Sequence, residues 1–157
     1  MGRFAVVGVG NPLRGDDAVG VHVARSLRDK LPPDVDIIEH DGDVSRLVEA
    51  LRQWDRVVIV DAVTTGAEFG TIHEFDVSET PLPAEPFRCT THSFGVGEAI
   101  ELARSLNGLP RVVWVLGIEG GKYEIGTELS PKVRNTIPRV VEIVLERIRQ
   151  LRGGGFQ

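Results

Sequence analysis

Short apolar runs alternate with stretches of helical period along most of the chain. Residues 3–9 (RFAVVGV) form an apolar run bounded by Gly8 and Gly10, and they read as a buried strand. Residues 17–30 follow, with Val19, Val23, Ala24 and Leu27 at helical spacing and Asp16 at the N-cap position. Residues 34–40 (DVDIIEH) read as a second strand. Residues 44–53 read as a short helix capped by Asp43, with Leu47, Val48 and Leu51 on one face. Residues 56–63 (RVVIVDAV) are the most apolar run and predict a central strand covered on both faces. The next strand, residues 70–76, follows too soon for a parallel crossover and is therefore predicted antiparallel. A Pro-rich loop occupies residues 78–88. A third helix covers residues 93–106, with Val96, Ile100, Leu102 and Ala103 predicted to face inward. Residues 111–118 (RVVWVLGI) form a fifth buried strand. Residues 131–151 form a closing amphipathic helix, with Ser130 as its cap and Pro131 at its first position.

Alternating strands and helices imply an α/β fold, a three-layer α/β/α sandwich on a mostly parallel sheet with one antiparallel strand. The 157 residues suit a single domain, read as residues 1–152 with a frayed tail at 153–157. The 41% of hydrophobic residues and 26% of charged residues are ordinary for a globular chain. No apolar run is long enough to span a membrane, and the first residues lack a signal-peptide pattern, so a cytoplasmic protein is expected. The single cysteine, Cys89, excludes an internal disulfide and a multi-cysteine zinc site. As the lone cysteine of a Pro-rich loop it reads as inert. The net charge of −5 disfavours a nucleic-acid partner.

Open parallel sheets bind ligands beyond the carboxyl ends of their strands. Three segments fall there: residues 8–17 (GVGNPLRGDD), Asp61 at the end of its strand, and His92 before the third helix. Asp61 follows Val57-Val58-Ile59-Val60, so its charge needs a partner at the strand end. Asp17 suits either a ligand role or the helix N-terminus, and His92 suits a ligand, a cap or the surface. Asp17, Asp61 and His92 together are an oxygen and imidazole donor set for zinc, nickel, manganese or iron, with a coordination position left open. His22, His40 and His73 read as structural or solvated. Gly8-x-Gly10 suggests a dinucleotide turn, yet residue 13 is Leu and two acids open the helix, which disfavours pyrophosphate.

The run Gly8-Val9-Gly10-Asn11-Pro12-Leu13-Arg14-Gly15-Asp16-Asp17-Ala18-Val19-Gly20 resembles the N-terminal signature of the hydrogenase maturation proteases. The resemblance continues through Asp41-Gly42, Val60-Asp61-Ala62 and His92, in order and spacing, over nearly the whole chain. It implies an α/β/α sandwich on a five-stranded twisted sheet. It also implies an endopeptidase that removes a C-terminal peptide from a [NiFe]-hydrogenase large-subunit precursor after nickel insertion. By the same resemblance, Asp17, Asp61 and His92 are the ligands that sense nickel held in the substrate, with zinc or another divalent ion expected to substitute in the isolated protein. Two sources for the attack stay open, a metal-activated water and general-base action by Asp17 or Asp61. The Pro-rich loop at 78–88 and residues 118–126 are the expected peptide-embracing segments. The alternative reading is a non-catalytic nickel- or nucleotide-binding module on the same scaffold.

Overall fold

A computed structural model describes residues 2–83 and 93–156. His92, Cys89 and the second half of the Pro-rich loop fall outside those residues. Five strands form one sheet: β1 (Phe4–Val9), β2 (Val35–His40), β3 (Arg56–Val63), β4 (Ile72–Asp76) and β5 (Val112–Glu119). Their order is β2-β1-β3-β5-β4. The first four in that order run parallel, and β4 pairs antiparallel with β5. The short β3–β4 connection thus has the topological consequence that its length predicts.

The helices α1 (Val19–Leu27) and α4 (Pro131–Phe156) cover one face of the sheet; α2 (Val44–Leu51) and α3 (Ser93–Ser105) cover the other. Alternation along β3 serves both layers. Val58 and Val60 join the cluster that includes Val19, Val23, Leu27, Val140 and Val144. Val57 and Ile59 join Leu47, Leu51, Val96 and Ile100. Two apolar faces on one strand explain why its sequence is continuously apolar.

Four boundaries or orientations differ from the sequence expectation. The first helix does not start at Asp17: residues Gly15–Ala18 form a 3-10 turn and the α-helix begins at Val19. Asp16 is therefore not its N-cap. Leu102 is 44% exposed; α3 instead buries Val96, Ala99, Ile100 and Ala103, a set spaced three, one and three apart. The helix α4 runs to Phe156, so Gly153 to Phe156 continue helical backbone past Leu151. Asp43 does cap α2, accepting the Arg46 N–H at 3.1 Å.

Candidate active site

The carboxyl edge of the sheet is assembled by close backbone approach. Gly8 and Gly20 bring β1 and α1 together: a Cβ on Gly8 would lie 2.1 Å from the Gly20 carbonyl oxygen. A Cβ on Gly20 would lie 2.3 Å from the Val60 oxygen. Gly10 carries φ +147° and leaves no room for a Cβ, which would sit 1.8 Å from the Asp17 carbonyl oxygen. The GxGN segment thus lets the chain leave β1 and fold directly under the acidic pair.

Asp17 and Asp61 are both fully buried. Asp17 Oδ2 accepts the Asn11 N–H at 2.8 Å. Asn11 is itself shaped locally, since its Oδ1 accepts the Leu13 N–H at 2.9 Å. Asp61 Oδ1 accepts the Ala62 N–H at 2.8 Å. Asp61 pairs in register with Gly117 of β5, and its neighbour Val60 pairs with Gly8 of β1. Strand alternation places Asp61 with Val57, Ile59 and Val63 on the face that α2 and α3 cover. The opening turn of α3 lies at the same edge, where a Cβ on Gly95 would meet the Gly42 carbonyl oxygen at 2.6 Å. His92, which directly precedes α3, lies outside the described residues. Among the described residues no group of three His, Cys, Asp or Glu side chains is arranged to hold a metal ion.

Two further carboxylates are buried here, and neither was picked out as a site residue from the sequence. Asp16 Oδ2 accepts N–H groups from Gly121 and Lys122, each at 3.0 Å, and the Ser130 hydroxyl at 2.9 Å. Its Oδ1 accepts the Ser130 N–H at 2.7 Å. Asp16 thereby holds both ends of the 120–130 loop against the segment that carries Asp17. Glu119, 1% exposed, accepts the Thr65 and Gly66 N–H groups and the Thr65 hydroxyl, and pairs with His73 Nε2 at 3.0 Å. It fixes the loop that follows Asp61. The signal for Glu119 is the one that exposed Asp61: an acid directly ending an apolar strand.

Tyr123 ties the two loops, its hydroxyl 2.5 Å from Thr64 Oγ1. Burial, with smaller effects from Asp16, Asp61 and Glu119, raises the Tyr123 phenol far above its ordinary range, so it stays protonated. Of the histidines read as structural or solvated, His73 and His40 take such roles. His40 Nδ1 accepts the Gly42 N–H at 2.9 Å, and burial holds His40 below its ordinary value. Asp41, of the Asp41-Gly42 pair that extends the resemblance, pairs with Arg46 and accepts the Asp43 N–H.

A family model described as hydrogenase maturation protease (HycI) matches residues 21–147. Subunit delta of the coenzyme F420 hydrogenase of Methanothermobacter thermautotrophicus is 31% identical, covering 93% of this chain and 94% of that one. The hydrogenase 2 maturation protease of Escherichia coli K12 is 26% identical, over 94% and 92%. Among solved structures, the hydrogenase maturating endopeptidase HybD of Escherichia coli superposes with a TM-score of 0.78 at 26% identity, covering 94% and 93%. The maturation protease HycI of Thermococcus kodakarensis superposes at 0.70 with 28% identity, covering 92% of each chain. Fold and likeness together define a peptide-bond hydrolase, an endopeptidase of the α/β/α-sandwich type. The chain belongs to the hydrogenase maturation protease family.

Proposed function

We propose that this protein removes a C-terminal peptide from a [NiFe]-hydrogenase large-subunit precursor once nickel has been inserted, and that Asp17, Asp61 and His92 sense the nickel held by that substrate. The observation that carries the reading is the complete burial of two carboxylates, from separate segments, at the carboxyl edge of a parallel sheet. Two carboxylates carried to one edge by separate segments supply the oxygen donors that a divalent ion takes. One oxygen of each carboxylate is held by a backbone N–H, which orients the group. The family membership supports the substrate class.

Two carboxylates and one imidazole match nickel and zinc in donor chemistry. Three ligands leave the rest of the shell to the substrate. Such a site holds free metal weakly and completes the shell of a metal the partner already carries. Zinc or another divalent ion is expected to substitute in the isolated protein. The reaction is hydrolysis: water adds across one peptide bond, leaving a new C-terminal carboxylate on the shortened subunit and a new amino terminus on the released peptide. A cytoplasmic location suits a step on a newly made subunit.

Mass spectrometry of a large subunit co-expressed with this protein tests the assignment. The subunit is expected to lose its C-terminal extension with wild-type protein and to retain it with Asp17→Asn or Asp61→Asn. Retention of the extension with wild-type protein, in cells competent for nickel insertion, would overturn it.

A further inference from the structure

A carboxylate and an imidazole stand together on the face of the sheet that carries Asp61. Along β5, Glu119 and Gly117 share a face with Val113 and Val115, which join the cluster that α2 and α3 cover. Along β4, His73 shares a face with Phe75, which packs against the same cluster; the two rings stack with centroids 6.5 Å apart. The register sets Asp61, Gly117 and His73 in one row across β3, β5 and β4. Because β4 runs antiparallel, its first residues are the ones that lie at the carboxyl edge beside Asp61. Two strand spacings separate Asp61 from His73, about 10 Å between Cα atoms. The residue between them, Gly117, has no side chain.

Glu119 is 1% exposed and His73 is 24% exposed. The carboxylate accepts the Thr65 N–H at 2.7 Å, the Gly66 N–H at 3.1 Å and the Thr65 hydroxyl at 2.7 Å. So fixed, its Oε1 meets His73 Nε2 at 3.0 Å. A carboxylate offers lone pairs and no proton, so Nε2 carries the ring hydrogen and Nδ1 keeps its lone pair. Nδ1 has no hydrogen-bond partner among the described residues. The bonds to residues 65 and 66 suffice to hold the loop after Asp61. The imidazole adds a proton-accepting nitrogen at the edge, oriented by a buried acid, which is the arrangement that proton transfer requires.

Building on the proposed function, we infer that His73, oriented by Glu119, is a further catalytic residue, the general base and then the general acid of the hydrolysis. Under that function Asp17 and Asp61 are engaged as metal donors, and proton transfer falls to another group. A peptide bond brought over Gly117 has Asp61 on one side and His73 on the other. The water oxygen bonds to the scissile carbonyl carbon while His73 Nδ1 takes one of its protons. The carbon–nitrogen bond then breaks, and the same proton passes from Nδ1 to the leaving nitrogen. The ring ends as it began.

His73→Ala tests this in cleavage of the nickel-loaded precursor. General acid–base catalysis contributes about 100-fold or more, so kcat is expected to fall by at least that factor with KM little changed. Added imidazole is expected to recover at least about tenfold of the loss, which a merely structural role would not allow. Long-range nitrogen–hydrogen NMR of the wild-type protein in mildly alkaline solution is expected to show His73 as the Nε2–H tautomer, and Glu119→Gln to shift it toward Nδ1–H. A kcat for His73→Ala close to wild type, a loss that imidazole leaves unrelieved, or an Nδ1–H ring in the wild-type protein overturns the inference. Each of these leaves the proposed function standing. If wild-type protein leaves the nickel-loaded precursor whole, the proposed function fails and the catalytic role of His73 fails with it.

Discussion

Asp16 and Asp17 are adjacent, identical in type and equally buried, yet their surroundings give them different work. Asp16 accepts four hydrogen bonds from the 121–130 region and is a structural anchor. Asp17 is held by a backbone N–H of its own loop. Hydrogen bonds to a charged group contribute about 1.5–3 kcal/mol each, and Asn would turn an NH₂ toward N–H donors. Asp16→Asn is therefore expected to cost about 3–5 kcal/mol of unfolding free energy, measured by urea titration. The roles of this pair could not be separated from the sequence, because the partners of Asp16 lie 105 to 114 positions away. Only the GxGN-to-acid spacing, and the resemblance it carries, pointed to Asp17. Asp61 was legible because a lone acid ends a run of four β-branched residues, and Glu119 carried the same signal after Ile118.

His40 yields a pH prediction at the same scale. Burial holds both His40 and His22 below their ordinary value of 6.5. Above that pH both are neutral in folded and unfolded chains alike. As pH falls below it, the unfolded chain takes protons that the folded one refuses, so stability declines toward the folded values. The urea midpoint is expected to fall between pH 7 and pH 5, and His40→Gln should flatten that slope. An unchanged slope would contradict the burial argument.

At the scale of elements, strand identity and the antiparallel edge were legible from apolar periodicity and connection length. Helix starts were less so. A 3-10 turn at Gly15–Ala18 replaces the first turn expected of α1, since Asp16 turns away to a distant loop instead of capping. Leu102 was misassigned because Leu102-Ala103 is a double apolar step on which periodicity alone cannot choose the buried member; the neighbouring Ala99 and Ala103 complete the inward stripe. Gly20 illustrates how packing overrides propensity. In an open helix Gly→Ala gains up to about 1 kcal/mol. Here the added methyl would meet the Val60 and Val9 carbonyl oxygens at 2.3 and 2.6 Å. Overpacking against backbone costs about 1–3 kcal/mol or more, so Gly20→Ala is expected to destabilise. A higher melting temperature for that variant would show that α1 does not approach β1 and β3 so closely.

Across the whole molecule, the sheet brings residues from distant parts of the chain to one edge. β1 delivers the Asn11–Asp17 segment, β3 delivers Asp61, and α3 opens beside Gly42 at the same edge. No helix among the described residues is long and apolar enough to cross a membrane. The 120–130 loop, pinned by Asp16 and next to Glu119, is bonded to the segment that leads into Asp17. A frame of this kind suits the proposed role, in which the enzyme judges a folded partner before one cut.

Cleavage of matched precursors by purified protein, followed by intact-mass spectrometry, tests that judgement most directly. Wild-type protein should shorten the nickel-loaded large-subunit precursor and leave the nickel-free form at full length. Asp17→Asn, Asp61→Asn and His92→Ala should each leave both forms whole while still unfolding in one cooperative transition. Equal trimming of the two forms, or undiminished trimming of the loaded form by these three variants, would contradict the account.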